Sequence, residues 1–424
     1  MNRVSRWAKT AFLSGLDGLR GGRLTLVCPG QTYRFGVAGD LDATLTVRDE
    51  RFFLRALTGS DIGIGESFMD GDWTTPDVVP LGRLMLRNRR ILDSQNRVVG
   101  AFRRLSGGLL RRLRDNSIAG SRRHIHRHYD LGNDFFRLFL DTELLMYSCG
   151  HFESVTDSLE RSQMQKVDQV CRKLALTSSD HVLEIGSGWG GFAVWAATRY
   201  GCRVTTTTIS DQQYRHVNEW RSRLGEVGAR IEVRRADYRE LTGQFDKIVS
   251  LEMFEAVGLR HYDEYFAAVD RLLVPDGSML LQTITVDDQW FPHYHGTPDW
   301  IEKYIFPGGE LASVGEIVKS LARTTTLSVY HAENWGTHYA RTLREWRARF
   351  HQQLDGVRAL GFDDRFIRMW DLYLASCESA FLERHAGVFQ ILLLKNGAQQ
   401  VLFNEPWSET VGAPGAVVSR QSVA

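Results

Sequence analysis

Hydrophobic and polar residues alternate between residues 23 and 50. The segments RLTLVCPG, QTYRFGVAG and LDATLTVRD carry this period-two pattern, with turn-forming residues between them, which predicts three short strands. The next segment, ERFFLRALTGSDIGIGESFMDGDW, begins with a helical pattern and continues with glycines and polar residues, which predicts a helix followed by a loop. We therefore expect residues 1–80 to form a small α+β unit.

From residue 180 onward, apolar segments of strand length alternate with amphipathic segments of helix length. The predicted strands are 181–185, 202–209, 229–236, 245–251, 277–286, 326–334 and 388–397. The predicted helices are 190–200, 210–224 and 260–274, and the segments 339–360 and 363–385 predict a helical pair. This alternation is typical of an α/β fold with a mostly parallel, seven-stranded, Rossmann-like sheet and helices on both faces.

Composition describes an ordinary globular protein. The chain has 424 residues, 43% hydrophobic and 24% charged, with a net charge of +1, so overall charge does not favour a nucleic-acid partner. Its five cysteines (Cys28, Cys149, Cys171, Cys202 and Cys377) form no CxxC pair, which argues against a disulfide framework or structural zinc and for a reducing compartment. The chain contains no run of 18 apolar residues, so we expect no membrane span.

Two segments have patterns that suit a lipid surface. A helix at the N-terminus would place Val4, Trp7, Ala8, Ala11 and Phe12 on one stripe, which fits either an interfacial helix or a helix packed on its own domain. Residues 81–128 contain 13 arginines and two acidic residues among leucines. That segment suits an anionic lipid surface or a solvated linker, and it lacks the aromatic residues that stack on nucleic-acid bases.

A glycine cluster follows the first predicted strand of the large sheet. Glu184 ends the strand, and Gly186, Gly188, Gly190 and Gly191 come directly after it. Glycines at this place let the backbone turn tightly into a helix and approach a ligand closely. The segment therefore predicts a nucleotide-like ligand at this end of the sheet.

The ends of the second and third strands narrow the choice of ligand. A dinucleotide site usually has an acidic residue after the second strand, where this chain has TTTTISDQQ. Asp237 instead follows the third strand, and FDKIVSLEMFEAVG forms the fourth. Together these features resemble S-adenosylmethionine methyltransferases. The resemblance implies that the glycine turn faces the methionine part of the donor and that Asp237 accepts from the adenine amino group.

Seven motifs extend this resemblance over most of residues 25–400. They are HYDLGNDFFRLFLD, LLMYSCGHFE, VLEIGSGWGG, TTISDQQ, EMFEAVG, WIEKYIFPGG and HYARTLREW, in the order found in cyclopropane-fatty-acyl-phospholipid synthases and mycolic acid cyclopropane synthases. The resemblance implies methyl transfer from S-adenosylmethionine to the cis double bond of a phospholipid acyl chain, with cyclopropane formation through a carbocation. It also implies a lipid-associating region at 1–118 and a methyltransferase domain at 119–405, and the sequence of 406–424 predicts a disordered tail.

The same resemblance assigns the site residues. It implies a bound bicarbonate as the base, held by the Cys149 and Ile284 backbone and by Glu255 and Tyr339, with Gln282 where the family has histidine. Gln282 can still donate to an anion but cannot titrate, which leaves the product open. The implied donor-binding residues are Tyr147, Ser148, Gly186, Gly188, Thr208, Ile209, Ser210, Gln213, Asp237 and Tyr238, with Ser210 as a predicted helix cap.

Other candidate groups have competing interpretations. Cys377 matches a cysteine proposed as catalytic in the family, but a packing role is favoured because the chemistry needs no thiolate. The aromatic candidates for stabilising a cation are Tyr129, Tyr147, Phe254, Tyr304 and Phe306. The motif HIHRHYD places His124, His126 and His128 on one face only if it is a strand, and it suggests no fourth ligand, so we expect no metal site.

We therefore expect a cytoplasmic enzyme that is peripheral on the inner face of the membrane, binds unsaturated phospholipid and no nucleic acid, and is either a monomer or a homodimer. One alternative keeps the enzyme class but yields a methyl-branched, methylene or furan-pathway product. Two further alternatives are a non-catalytic lipid-binding scaffold and a methyltransferase for a small soluble metabolite.

Overall fold

The structure, a computed structural model, describes residues 3–90, 131–295 and 298–398. The histidine motif, Tyr129, the predicted tail and most of the arginine-rich segment lie outside these ranges, as does the predicted boundary at residue 118. None of the helices in the described ranges is long and apolar enough to cross a membrane.

The N-terminal unit contains a four-stranded sheet and three helices. The strands are β1 (Arg23–Cys28), β2 (Gln31–Gly36), β3 (Asp42–Val47) and β4 (Trp73–Thr74), in the order β2-β1-β3-β4. The helices are α1 (Arg3–Gly15), α2 (Arg51–Met69) and α3 (Val78–Arg87). The three predicted strands are confirmed, and their inward side chains alternate with outward ones as the sequence pattern requires.

The predicted loop after the first half of α2 is wrong, because the helix continues to Met69. It is interrupted at Ser60, where φ is 52°, and Gly65 serves close packing. A Cβ atom on Gly65 would lie 2.3 Å from the Trp300 ring, closer than two atoms can approach. The glycine that favoured a loop in the sequence therefore makes room for an indole from the other part of the chain.

Helix α1 divides the predicted apolar stripe. Ala8 is fully buried, and Phe12 packs edge-on against Phe52 at a ring-centroid distance of 5.0 Å. Val4 and Trp7 are 54% and 64% exposed. One half of the stripe therefore packs on its own domain, and the other half faces solvent.

The large sheet has seven strands in the order β10-β11-β9-β8-β5-β6-β7. The strands are β5 (His181–Ile185), β6 (Arg203–Thr207), β7 (Ile231–Arg234), β8 (Phe245–Leu251), β9 (Leu273–Val286), β10 (Ser328–Asn334) and β11 (Ala386–Leu394). Strands β5 to β9 pair in parallel, whereas β11 is antiparallel to both β9 and β10. The predicted α/β class and the mostly parallel sheet are confirmed.

Helices cover both faces of this sheet. They are α4 (Asn133–Arg137), α5 (Leu159–Lys173), α6 (Gly191–Arg199), α7 (Asp211–Ser222), α8 (Glu226–Ala229), α9 (Tyr262–Leu272), α10 (Phe291–Tyr294), α11 (Trp300–Tyr304), α12 (Val314–Thr324), α13 (Gly336–Gln352), α14 (Leu354–Ala359) and α15 (Asp364–Leu382). The predicted helical pair is confirmed as α13 and α15, with the short α14 between them. Helices α2 and α3 pack on α15, and buried Phe53, Leu84, Trp346 and Trp370 belong to one continuous core. The N-terminal unit and the helical pair therefore share a hydrophobic core.

Candidate active site

A cavity of about 440 Å³ lies at the carboxyl ends of the parallel strands. Its lining includes Gly186 after β5, Thr208 after β6 and Glu252 after β8. Tyr339 from α13 and Cys377 from α15 line it on the side of the helical pair. The position agrees with the general location of ligand sites in open α/β sheets.

The glycine turn at the end of β5 forms one wall of the cavity. Gly186 and Gly190 have φ values of 96° and 95°, in the left-handed region that glycine favours. A Cβ atom on Gly186 would lie 2.9 Å from the Met253 side chain. The turn therefore depends on glycine for its conformation and for its close approach to the segment after β8.

The segment that follows β6 places polar side chains beside this turn. Thr208 Oγ1 donates to Gln213 Oε1 over 2.8 Å, and the Ser210 side chain caps α7 by accepting from the Gln213 backbone nitrogen. The predicted cap at Ser210 is confirmed. Ile209 lines the cavity beside Thr208 and Gln213. Ser210 contributes indirectly, because it caps the helix that carries Gln213.

Asp237 and Tyr238 line the cavity after β7. Arg239 donates to both carboxylate oxygens of Asp237, from Nε over 2.8 Å and from Nη2 over 2.9 Å. This bidentate ion pair fixes the orientation of the carboxylate. Each carboxylate oxygen can still accept a further hydrogen bond through its second lone pair. Asp237 is therefore oriented to accept a hydrogen bond from a ligand.

The segment before α5 brings Tyr147 and Ser148 to the opposite wall. Buried Asp141 accepts the backbone N–H groups of residues 144–146 and so shapes the turn that carries both residues. Lys166 Nζ donates to Ser148 Oγ over 2.6 Å, and the hydroxyl groups of Tyr147 and Tyr373 are 3.0 Å apart.

Two glutamates, Glu252 and Glu255, follow β8 and line the cavity together. Glu252 Oε1 accepts from the Cys149 backbone nitrogen over 2.8 Å and from Gln282 Nε2 over 2.7 Å. Tyr339 also forms a side-chain hydrogen bond with Glu252.

Glu255 accepts from the Ile284 backbone nitrogen and from Thr283 Oγ1. The five groups expected to hold bicarbonate therefore meet at one place, but four of them are already bonded to a neighbouring carboxylate, and the fifth is Glu255 itself.

The low polarity of the site shifts the pKa values of its ionisable groups. Burial raises the pKa of Glu255 to about 8, and the nearby charge of Glu252 adds to this effect. Burial also raises the pKa of Glu252, opposed by the bonds from Cys149 and Gln282 and by the charge of Lys166. Burial lowers the pKa of Lys166 to about 8. The site thus contains a coupled carboxylate pair beside a buried amine.

Cysteine contributes little chemical reactivity to this arrangement. Cys149 is fully buried, and burial raises the pKa of its thiol well above the usual value, while its backbone nitrogen makes the functional contact. Cys377 lines the cavity, but burial raises its pKa to about 12. Neither thiol resembles an activated nucleophile.

The aromatic candidates have different locations. Tyr147 and Phe306 line the cavity with Tyr373. Phe254 is fully buried in the core of the large sheet. Tyr304 donates to Glu66 of the N-terminal unit over 2.8 Å. Of the four candidates that the structure describes, only Tyr147 and Phe306 are therefore placed beside a ligand in the cavity. Within the described ranges no three potential metal ligands converge.

Sequence reasoning missed Glu252 and Lys166. Glu252 had a weak signal, an acidic residue directly after an apolar parallel strand. Lys166 had none, because it lies in the polar-looking sequence LERSQMQKVDQVCRK and is fully buried only in the folded chain.

Comparison with known proteins places this geometry in context. The family description "Mycolic acid cyclopropane synthetase" matches residues 117–391. The tuberculostearic acid methyltransferase UfaA1 of Mycobacterium tuberculosis is 37% identical over 79% of this chain and 79% of its own. The cyclopropane-fatty-acyl-phospholipid synthase of Escherichia coli is 36% identical over 85% of this chain and 90% of its own.

A solved structure also matches this chain. It is the mycolic acid cyclopropane synthase CmaA1 complexed with SAH and CTAB, with a TM-score of 0.60 and 31% identity, covering 65% of this chain and 98% of that one. The matched fold is that of the seven-stranded sheet and its helices.

Proposed function

We propose, from the premise that this chain belongs to the mycolic acid cyclopropane synthetase family, that it methylates the cis double bond of an unsaturated phospholipid acyl chain. The chain is an S-adenosylmethionine-dependent methyltransferase of that family. The lipid substrate and the product form the proposal. The same premise favours catalysis over a scaffold role.

The observation that carries the proposal is the continuity of the cavity. Its lining joins the glycine turn, Gln213 and Asp237, which fit the donor, to the carboxylate pair and to the apolar side of the helical pair. A water-soluble sulfonium and a hydrocarbon chain could therefore meet in one enclosed space. A small soluble substrate would not need the apolar side.

Aromatic side chains in the cavity suit the intermediate that this chemistry requires. Attack by the alkene on the sulfonium methyl leaves positive charge on the acyl chain. The rings of Tyr147 and Phe306 lie 6.3 Å apart between centroids, and those of Phe306 and Tyr373 lie 5.8 Å apart. Aromatic faces attract a cation without offering a nucleophile that would trap it.

Removal of one proton from the transferred methyl group closes the cyclopropane ring. The base implied by the family resemblance is bicarbonate, and it stays a prediction. The residues present do not favour it, because Cys149, Gln282 and Tyr339 already donate to Glu252 and Ile284 donates to Glu255.

A methylated or methylenated product is the second candidate. The 37% identity to a tuberculostearic acid methyltransferase supports it, as does Gln282, a residue that cannot titrate. A hydride shift before loss of the methyl proton would give a chain that carries a methylene (C=CH₂) branch in place of the ring. Both products contain the same atoms, so the difference lies in the position of the cation when the base acts.

We further propose that the enzyme binds the inner face of the membrane as a peripheral protein. The exposed Val4 and Trp7 of α1 offer an apolar contact, and the arginine-rich segment offers attraction to anionic headgroups. The described arginines Arg83 and Arg87 are paired with Glu383, whereas Arg90 is exposed.

The test uses purified protein, methyl-labelled S-adenosylmethionine and vesicles of monounsaturated phospholipid. We expect label in the acyl chains, identified by mass spectrometry of their methyl esters. Mild hydrogenation then separates the two candidate products, because it reduces a methylene branch and leaves a cyclopropane ring intact. Label that reaches no acyl chain, although the protein binds both donor and vesicles, would contradict the proposed function.

A further inference from the structure

We propose that the side-chain carboxylate of Glu252 is the catalytic base of this enzyme and replaces the bicarbonate ion of the family mechanism. The inference rests on the proposed function, since it assigns a step within that reaction. It arises from a juxtaposition: the donors that would bind a small oxyanion converge on a carboxylate of the chain itself.

The hydrogen bonds of Glu252 match those expected for the anion. The Cys149 backbone nitrogen and Gln282 Nε2 donate to Oε1 over 2.8 and 2.7 Å, and Tyr339 completes the set. A carboxylate and bicarbonate share the planar O–C–O group that such donors recognise. Because the donors are engaged by Glu252, a separate anion could bind there only by displacing the side chain.

The backbone of Glu252 is held in an unusual conformation. Its φ is 52°, in the left-handed region where residues other than glycine are strained. Its backbone nitrogen donates to the Gln282 carbonyl oxygen over 2.8 Å, which ties the residue to strand β9. Strain retained at a cavity wall indicates that the position of the carboxylate matters more than local stability.

A directional chain of hydrogen bonds supports an ionised Glu252. Lys173 Nζ, which can only donate, bonds to Gln390 Oε1 over 2.6 Å. Gln390 Nε2 then donates to Gln282 Oε1 over 2.8 Å, which directs the Gln282 amide nitrogen toward Glu252. Lys173 also pairs with Glu333, and its donation to Gln390 fixes the orientation of both amides, so that an N–H donor points at the Glu252 carboxylate.

The second carboxylate is better suited to hold a proton. In the part of the chain that the structure describes, Glu255 Oε2 is buried without a hydrogen-bond partner, whereas Glu252 has three donors and the field of Lys166. Two neighbouring carboxyl groups in a dry site do not both ionise readily. We therefore assign the negative charge to Glu252 and the proton to Glu255.

The proposed step balances without a further reactant. The alkene π electrons form a bond to the methyl carbon as the sulfur–methyl bond breaks, and sulfur keeps that electron pair. A C–H bond of the transferred methyl group then breaks. Its electrons form the second bond of the ring or, where a hydride has first shifted to the cationic carbon from the methyl-bearing carbon, the double bond of a methylene group, and the proton passes to Glu252.

The test compares three variants in buffers freed of carbon dioxide, with and without millimolar bicarbonate. Glu252→Gly removes the carboxylate, fits the left-handed backbone and leaves the donors around a space for an anion. Glu252→Gln fills the same space without a base. The matched control is Ala175→Gly, an exposed position on the surface with φ of 50°.

We expect the unsubstituted enzyme and Ala175→Gly to transfer methyl groups to lipid equally well with and without bicarbonate. We expect Glu252→Gln to lose about 10²- to 10⁴-fold in turnover, unaffected by bicarbonate. Glu252→Gly is expected to lose as much and to regain activity when bicarbonate is added. Full activity of Glu252→Gln, or a bicarbonate requirement of the unsubstituted enzyme, would overturn the proposal.

A binding measurement separates this proposal from the proposed function. We expect ¹³C-labelled bicarbonate to show line broadening in the presence of Glu252→Gly and none with the unsubstituted protein. If no lipid is methylated at all, the proposed function fails, while this measurement still shows whether Glu252 occupies the anion site. Equal broadening by both proteins would show that Glu252 does not occupy the anion site.

Discussion

Glu252 and Glu255 line one cavity, where burial raises the pKa of Glu255 and the negative charge of Glu252 raises it further. This relationship gives the two glutamates different functions although they are three positions apart. Glu252 is the ionised member that accepts a proton, and Glu255 is the protonated member that completes the wall. Pairs with divided roles are frequent in acid–base sites.

The first prediction concerns Glu255→Gln. Its amide oxygen can accept the bonds from Ile284 and Thr283, and its NH₂ group can stand in for the protonated oxygen. We expect turnover to fall by less than about tenfold, against about 10²- to 10⁴-fold for Glu252→Gln. Initial rates with labelled donor and lipid vesicles measure both. If Glu255→Gln were as inactive as Glu252→Gln, a shared role in holding a bound anion would be the better explanation.

The second prediction follows from the pKa of about 8 for Glu255, which lies above the ordinary glutamate value of 4.5. Between these pH values the folded state holds more protons than the unfolded state. The contribution of Glu255 to the free energy of unfolding is therefore fully present below pH 4.5. It is lost as the pH rises through 8, where the carboxyl group ionises in the folded state. Each pKa unit corresponds to about 1.4 kcal/mol.

Glu255→Gln removes this dependence while Glu184, whose pKa burial also raises to about 8, keeps its own. We expect the melting temperature of the variant to exceed that of the unsubstituted protein more at pH 8 than at pH 5.5. Differential scanning fluorimetry at both values measures the difference. An equal offset at the two pH values would mean that Glu255 ionises in the folded protein much as it does in solvent.

The third prediction concerns Gln390, which acts through Gln282 and is a positioning residue. Gln390→Met keeps the volume of the side chain but ends the hydrogen-bond chain from Lys173. We expect turnover to fall by about tenfold, because the Gln282 amide is free to rotate and one charge-linked bond to Glu252 weakens.

A change in the pH profile separates positioning from a general loss of structure. The groups that face Glu252 are Lys166, Glu255, Tyr339, Cys149 and Gln282. With these unchanged, Gln390→Met should shift the acid limb of the turnover profile to higher pH, because the ionised form of Glu252 loses support. Leu392→Met, on the same strand and also buried, is the control and should leave the limb in place. An acid limb that stays in place in both variants would mean that Gln390 does not influence the ionisation of Glu252.

The fourth prediction concerns the donor. Gln213 is buried, lines the cavity and accepts from Thr208, so Gln213→Leu removes polar atoms that a ribose could use. We expect the affinity for S-adenosylmethionine to fall by about tenfold, as for one lost hydrogen bond. Isothermal titration measures it, with Glu219→Gln at an exposed position of the same helix as the control. Unchanged affinity would mean that S-adenosylmethionine does not contact Gln213 on α7.

Local pattern was enough to predict the parts of the fold whose contacts are regular. Strands β5 and β8 are largely apolar and buried because helices cover both faces of the sheet there, so both were predicted with the bounds that the structure shows. The glycine turn was also predictable, since Gly186 and Gly190 adopt conformations that other residues avoid. In both cases the physical requirement acts on neighbouring residues in the chain.

The remainder depended on contacts between distant residues. Glu252 meets Cys149 and Gln282, which lie 103 and 30 positions away, and no local pattern indicates where its carboxylate points. Gly65 was interpreted as a loop residue because the approach of Trp300 cannot be seen in the sequence. Family resemblance supplied the residues that hold an anion, but only the folded chain shows the carboxylate of Glu252 among them.

The last prediction concerns the membrane. Trp7 is 64% exposed on α1 while its neighbour Ala8 is buried, so the helix is anchored on one side and offers an indole on the other. Burial of such a side chain in a lipid interface is worth roughly 1.5–3 kcal/mol. We therefore expect Trp7→Ser to weaken binding to anionic vesicles by about tenfold or more.

Salt separates this contribution from that of the arginines. Electrostatic attraction between arginines and headgroups is screened at high ionic strength, whereas apolar contact is not. In vesicle cosedimentation, the unsubstituted protein should retain part of its binding at high salt, and Trp7→Ser should lose nearly all of it. Val155→Ser, at a 90% exposed valine far along the chain, controls for loss of a surface apolar group. If all three proteins lost binding equally with salt, attachment would be purely electrostatic and α1 would have no part in it.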